Sequence, residues 1–296
     1  MTSQPVLNTQ PAAASDTAPA TRPPGSRART TKRGFSRLQR LTWQVLTVLA
    51  FLAAWEWVPA IPGITNVAAF LDPFFISSPQ AVAKTIWELM IGDGVVPIWS
   101  QLGITITAAL GGTAAGVIVG GIGGLLCGGS KRLYEVVRPL VMALNAIPRI
   151  TLVPVVVLLF GTSMTADGVT SFMLVIFIVF YNAVEGARSV SLETMEFVRL
   201  LGASPRTRLF KVRGPYAAAW VFASLPNALS FGLVGAVTSE LFTGSKGVGQ
   251  LMVRAVDTAN ASLTFAVVVI LAVVGIVLVQ GVDFLRRKLL SWWDDE

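Results

Sequence analysis

Six long apolar stretches constrain this 296-residue chain more than any other feature of its sequence. A helix that crosses the hydrocarbon core of a bilayer needs about 20 mainly apolar residues. Stretches of this kind lie at about 41–61, 102–127, 136–160, 169–188, 215–241 and 263–285. Only 13% of the residues are charged, against about 25% in a soluble domain. We therefore predict an all-α integral membrane protein with six transmembrane helices.

The distribution of Lys and Arg predicts the orientation of these spans. If both termini are cytoplasmic, 19 Lys and Arg residues fall on the inner side and three on the outer side. This asymmetry follows the positive-inside rule. We therefore expect cytoplasmic N- and C-termini and a multi-pass protein of the cell inner (plasma) membrane.

The net charge of +7 comes almost entirely from residues 1–40, which carry seven basic residues and one acid. This segment is rich in Pro, Ala, Thr, Ser and Arg, so we expect a disordered cytoplasmic tail before a transmembrane domain over 41–296. Attraction to anionic lipid head groups explains its charge more simply than nucleic-acid binding. Membrane lipid is therefore an expected partner, and nucleic acid is not.

Composition excludes several kinds of chemistry. There is no histidine, which removes His-based triads, His acid–base catalysis and His-containing zinc sites. Cys127 is the only cysteine, and no GxxxxGK[ST] phosphate loop occurs. We predict a chain with no catalytic residues, no metal and no cofactor of its own, which does not bind ATP itself.

The second span carries a glycine at every fourth position: Gly112, Gly116, Gly120, Gly124 and Gly128. On a helix these form one stripe that lets another backbone approach closely, which is how helices associate in lipid. The stripe predicts helix packing within the chain, and a subunit interface or pore-side seam is the alternative.

The third span contains two prolines and an arginine. Pro148 and Pro154 remove helix hydrogen bonds and should bend or break the segment. Arg149 is costly at membrane depth unless it is paired, and Asn145 lies four residues before it on the same helix face. Together with Glu240 near the end of the fifth span, these residues are candidates for a translocation pathway, although a structural role for Arg149 is equally compatible.

Two segments outside the spans show helical signals. Ser78-Pro79 reads as an N-cap and first helical residue, followed by an amphipathic helix on the outer face that serves as a brace or a docking surface. After the fourth span, the segment 191–213 predicts a short helix ended by Gly202. A second short basic helix begins at Ser204-Pro205, and Gly214-Pro215 opens the next span. Two such helices on the cytoplasmic face form a compact knob suited to a partner's groove.

The loop carries a family resemblance. The loop contains Glu196-Phe197-Val198, three residues, Gly202, nine residues and then Val212-Arg213-Gly214-Pro215. This arrangement resembles the EAA loop of binding-protein-dependent ABC importer permeases, whose pattern is E-A-A, three residues, G, nine residues, I-x-L-P. The chain departs from it by Phe-Val for Ala-Ala, Val for Ile and Gly for Leu. The frame of residues 138–161, and Glu240 followed by Gly247-Val248-Gly249, are similar to the nitrate, sulfonate and taurine branch.

The resemblance implies a type I importer permease fold and a set of partners. In such families two permease subunits pair, and the EAA loop forms a coupling helix on a cytoplasmic ATP-binding subunit. An extracytoplasmic binding protein delivers the solute. By position, the docking contact would involve Glu196, Gly202, Ala203, Ser204, Pro205 and Pro215. The resemblance also implies a homodimer as the usual assembly and ATP bound only by the partner ATPase.

The function implied is that of a non-catalytic permease subunit of an ATP-driven importer. The branch suggests a small solute, such as a nitrate-, sulfonate- or taurine-like anion. The alternative is an ion-coupled secondary transporter in which charged residues within the spans form a relay. No inverted repeat, the usual mark of many secondary transporters, is evident in the sequence.

Overall fold

The computed structural model describes residues 37–61, 72–92 and 97–289, and all regular structure within them is helical. Most of the predicted tail, up to Ser36, lies outside the described residues, whereas its last four residues belong to the first helix. Contacts divide the chain into two units at Val48. The described part of the first unit is the N-terminal portion of this helix.

The described helices are, in chain order, α1 (Arg37–Trp57), α2 (Pro73–Ile76), α3 (Pro79–Ile91), α4 (Ile98–Gly129), α5 (Lys131–Ala146), α6 (Val153–Phe160), α7 (Met164–Arg188), α8 (Leu192–Leu200), α9 (Pro205–Thr243), α10 (Val248–Asp257) and α11 (Ala261–Leu289). Short 3₁₀ turns follow α1 at Val58–Ala60 and precede α6 at Arg149–Leu152.

Four of the described helices, α4, α7, α9 and α11, are long and apolar enough to cross a membrane. A fifth span arises if α5 is counted together with the segment Arg149–Phe160, which follows it at an angle of 82°. The helix α1 forms where the first span was predicted, but it does not reach the same apolarity. The all-helical membrane fold is thus confirmed, and the number of six spans stays a prediction.

The bend in the third span follows from its prolines, as predicted. Helix α5 ends at Ala146, and Ile147 and Pro148 have extended backbone. Pro148 disfavours helical geometry at the residue before it, and Pro154 can occupy only the first turn of the next helix. The chain therefore leaves the axis of α5 and restarts as α6.

The glycine stripe packs against α7 within the chain. All five of its residues are buried. A Cβ added at Gly120 would lie 2.6 Å from the Ile176 carbonyl oxygen, and one at Gly124 would lie 2.5 Å from that of Phe180. Only glycine allows this approach, since the α7 backbone occupies the space of the missing side chains. The contact between α4 and α7 is the most extensive in the fold, and α9 packs on both.

The amphipathic helix α3 forms as predicted. The Ser78 side chain accepts a hydrogen bond from the Ala81 amide, and Pro79 is the first helical residue. Val82 and Leu89 are buried in an apolar cluster with Leu251 of α10 and Val267 of α11. These contacts make α3 a brace between α10 and α11.

Candidate functional site

The loop between α7 and α9 is built as a rigid projection. The Ser191 hydroxyl accepts a hydrogen bond from the Thr194 amide at 3.2 Å and caps α8. At the other end, the Ala203 amide donates to the Val198 carbonyl and the Gly202 amide donates to the Arg199 carbonyl. This is the Schellman pattern, in which the residue after the helix adopts a left-handed conformation.

Gly202 occupies that left-handed position, with φ of +77°. It ends α8 as the sequence predicted, and the space around it is open. The conformation of its backbone, and not steric crowding, is therefore what favours glycine here. The next helix starts with Ser204, whose hydroxyl accepts from the Thr207 amide at 3.2 Å, and with Pro205 in the first turn.

The predicted second short helix is not a separate element, which corrects the sequence interpretation. Helix α9 runs without interruption from Pro205 to Thr243, and the segment Arg208–Arg213 forms a π-helical turn within it. Pro215 lacks an amide hydrogen and would crowd the carbonyl of Lys211 in a regular α-helix. The wider π-turn, in which the Gly214 amide donates to the Leu209 carbonyl, accommodates this proline without ending the helix.

The knob, defined here as residues 191–213, presents large apolar side chains outward. Leu200 is 86% exposed, Leu192 82%, Leu201 70% and Phe197 63%. Glu196 lies among them, is exposed, and forms no ion pair with the described residues. An exposed apolar surface of this kind is typical of contact with a partner protein or with the membrane. The sequence pattern predicted the loop, but the extent of exposure is visible only in the structure.

Arg213 fixes the base of the knob, a role that the sequence did not indicate. Its Nη1 donates to the carbonyl of Gly128 at 3.1 Å and to that of Gly129 at 2.5 Å. These carbonyls lie at the end of α4, where a helix has unpaired acceptors and a partial negative charge. The sequence shows a basic residue at this position, but it does not show its hydrogen-bond acceptors, which lie about 85 residues earlier in the chain.

The bend between α5 and α6 places Asn145 and Arg149 together. The Arg149 guanidinium donates to the Asn145 side-chain oxygen and lies 4.9 Å from the centroid of the Phe177 ring. Arg149 also lines a cavity of about 10 Å³ that includes Thr170 and Thr238, which is room for about one water molecule. Its buried Nε donates to no acceptor among the described residues.

Glu240, the third pathway candidate, lies apart from this pair. It is wholly buried, and no hydrogen bond or ion pair within the described residues joins it to Arg149. Its carboxylate accepts from the Thr105 hydroxyl at 2.7 Å and from the Gly249 amide at 2.8 Å. Thr105 in turn accepts from the Val248 amide at 2.9 Å.

We refer to Glu240, Thr105, Gln101 and residues 247–249 as the carboxylate clamp. The Gly247 amide donates to the Gln101 side-chain oxygen at 2.7 Å, and a Cβ at Gly247 would collide with the Glu240 carboxylate. The clamp therefore joins the end of α9, the start of α10 and the first turns of α4. The arrangement is that of a structural anchor, since its polar groups are paired with one another and buried.

Other buried polar groups do not converge as a metal site. Asp167 of α7 is wholly buried and accepts from the Ser245 hydroxyl at 3.3 Å. Within residues 37–61, 72–92 and 97–289, no group of three or more histidine, cysteine or carboxylate side chains lies close enough to hold a metal ion.

Comparison with known proteins decides the family. The family described as "Binding-protein-dependent transport system inner membrane component" matches residues 120–291, which is more than half of the chain. The chain belongs to this family. It is therefore a permease subunit of an ABC importer and a protein of the inner membrane.

Individual relatives cover most of the permease. A probable ABC transporter permease of Haemophilus influenzae is 27% identical, covering 85% of this chain and 98% of that protein. The riboflavin transport system permease of Chloroflexus aurantiacus is 27% identical over 86% and 93% of the two chains. A putative aliphatic sulfonates transport permease of Bacillus subtilis is 28% identical over 86% and 89%. Further matches have names that refer to taurine and nitrate.

A solved structure shows the same fold. A chain of the MetNI methionine ABC transporter in an inward-facing conformation superposes with a TM-score of 0.54, covering 69% of the permease and 97% of that chain at 20% identity. This likeness confirms the type I permease fold that the sequence predicted.

Proposed function

We propose that the permease receives the energy for transport through the knob, which docks into a groove of a separate cytoplasmic ATPase. The observation that carries this proposal is the outward exposure of Leu192, Phe197, Leu200 and Leu201 on a rigid, doubly capped element. The buried centre of a protein–protein interface is more apolar than the rest of the surface, and a polar rim surrounds it. Glu196 and Arg199 on the same short helix provide such polar neighbours.

The family supports a proposal for the remaining partners. We propose that the permease works with an extracytoplasmic binding protein and with a second permease subunit, and that this subunit is a second copy of the chain. ATP is bound by the ATPase, and the permease itself has no catalytic role. Coverage of nearly the full length of its relatives supports this assignment. The matching family is named for its dependence on a binding protein.

A small anion is the proposed solute, of the nitrate, sulfonate or taurine type. Three relatives are named for these compounds. Arg149 supplies a positive charge at the bend of α5 and α6, where its Nε lacks an acceptor among the described residues. A guanidinium group is well suited to oxyanions because its N–H groups match two oxygens at once.

The docking role is tested by reversing the polarity of the knob. Phe197→Asp and Leu200→Asp should each lower the affinity of the purified permease for its co-expressed ATPase about thirtyfold or more, as for interface hot spots. The matched control is Val256→Asp on α10, the helix that follows the C-terminal end of α9. Val256 is apolar and about as exposed as Phe197, but it lies outside the knob. Binding that is unchanged in both knob variants would contradict the proposal.

The mode of energy supply is tested in proteoliposomes. With ATPase and binding protein present, uptake of a labelled sulfonate should require ATP and be inhibited by vanadate. Uptake that proceeds without the ATPase and collapses on addition of a protonophore would instead show the secondary transporter.

A further inference from the structure

A cluster of arginines lies at the base of the knob without acidic partners. Arg208 and Arg213 lie together at the base of the knob and line the same cavity. The Arg188 guanidinium lies 4.2 Å from the centroid of the Tyr134 ring, and that of Arg138 lies 5.8 Å from the same centroid. None of these arginines forms an ion pair with a carboxylate of the described residues.

The cluster opens into a defined cavity. Its volume is about 150 Å³, and it is lined by Gly129, Met195, Pro205, Arg208, Leu209 and Arg213. At about 10–15 Å³ of such space per water molecule, the cavity has room for a group of several heavy atoms. Two of its lining side chains are positively charged, and none is acidic.

The hydrogen-bonding capacity of these arginines is only partly used. Arg213 directs Nη1 to the end of α4, whereas its Nε is buried and donates to no acceptor in the described part of the chain. The Arg208 side chain is half-buried and, within the described residues, forms no hydrogen bond or ion pair. The cavity thus combines two guanidinium groups that have unused N–H donors with a lining that has no acidic side chain, and this is the chemistry that recognises an anion.

We propose that this cavity binds a phosphate group carried by an anionic ligand. Arginine forks match two phosphate oxygens at once, and basic pockets on the cytoplasmic side of membrane proteins bind acidic lipid head groups. The phosphate comes from an anionic phospholipid head group or from free phosphate in the cytoplasm. Because Gly129 belongs to α4, whereas Met195 and Arg208 belong to the knob, the bound anion holds the knob against the membrane domain.

The site is tested on the full-length permease without its ATPase, so that the result does not depend on the docking role. The protein is delipidated in a zwitterionic detergent, and its thermal unfolding is followed by tryptophan fluorescence. Phosphatidylglycerol, phosphatidylcholine and inorganic phosphate are titrated separately, with sodium chloride as the control for ionic strength. We expect phosphatidylglycerol, inorganic phosphate or both to raise the unfolding temperature in a saturable way.

Two variants and one control define the site. Arg208→Gln should weaken the apparent affinity for the effective ligand about tenfold, because it removes a charge-assisted hydrogen bond and leaves the cap on α4 intact. Arg213→Gln should weaken the affinity to a similar extent, although it also removes the cap on the end of α4. Comparing the unfolding temperature of each variant with and without ligand separates the loss of affinity from any change in basal stability. Arg206→Gln removes an equal charge from an exposed residue that does not line the cavity, and its affinity should be unchanged.

The outcomes separate the two sources of phosphate. Saturation by phosphatidylglycerol, but not by inorganic phosphate or phosphatidylcholine, assigns the site to a lipid head group. Saturation by inorganic phosphate with no further gain from phosphatidylglycerol assigns it to the free anion. The proposal is overturned if neither ligand shifts the unfolding temperature, or if all three variants respond like the unmodified protein.

Discussion

Two glutamates, Glu240 near the C-terminal end of α9 and Glu196 on the preceding helix α8, have opposite surroundings. Glu240 is wholly buried and accepts hydrogen bonds from Thr105 and Gly249. Glu196 is exposed among apolar side chains of the knob and forms no ion pair within the described residues. A carboxylate in the carboxylate clamp positions the fold, whereas one on the knob is available to a partner.

This contrast shows why charge alone does not reveal function in a membrane protein. A buried carboxylate whose acceptor sites are filled serves the architecture, since breaking its bonds leaves unpaired donors. Substitution of an exposed carboxylate usually changes the free energy of unfolding very little. Substitution of a glutamate is therefore expected to lower stability in the carboxylate clamp and to weaken binding on the knob.

The largest effect is expected from Glu240→Ala. The substitution leaves the Thr105 hydroxyl and the Gly249 amide without their acceptor, at a cost of about 2–5 kcal/mol of unfolding free energy. Denaturant titration of the purified permease measures this loss. Glu196→Ala is the matched control and should change the stability by less than about 0.5 kcal/mol.

The comparison between the two glutamates would break under one result. If Glu240→Gln left stability unchanged but altered the selectivity or rate of transport, Glu240 would belong to the translocation pathway and not to the carboxylate clamp.

A smaller effect is expected from Gly124→Ala in the seam between α4 and α7. The new Cβ would lie 2.5 Å from the Phe180 carbonyl oxygen, and overpacking of this kind costs about 1–3 kcal/mol. Gly123→Ala is the control on the neighbouring position, since its Cβ would meet only the Phe180 ring at 3.6 Å. Equal stability of the two variants would show that the seam is loose and would move the stripe to a subunit interface.

The smallest change in stability, but a functional one, is expected from Gly202→Val. A β-branched residue at φ of +77° is strained by about 1–2 kcal/mol, and this strain shifts the turn that sets the direction of α8. ATP hydrolysis by the assembled transporter should then become uncoupled from solute uptake, as measured in proteoliposomes.

Gly202→Asn serves as the control for this turn. Asparagine tolerates the left-handed conformation, so it should retain most of the coupling. Normal uptake in the valine variant would separate Gly202 from the docking function and would leave the exposed apolar side chains as the only part of the knob that matters.

Local features of the fold could be predicted from the sequence. Pro148 and Pro154 predicted the bend in the third span, Ser78-Pro79 predicted the start of α3, and Gly202 predicted the end of α8. In each case the residue restricts its own backbone or caps its own helix, so the information lies within a few positions of the chain. The separate helix predicted after Ser204 was wrong because a π-turn lets Pro215 remain inside α9.

The sequence by itself determined that the permease is helical, apolar and closely packed along one glycine face. Only the tertiary structure decided what the charged residues do. Glu240 meets Thr105 across 135 positions, and Arg213 meets Gly128 across 85. The physical reason is that backbone restriction acts locally, whereas the cost or benefit of a charge depends on the donors, acceptors and solvent that folding brings around it.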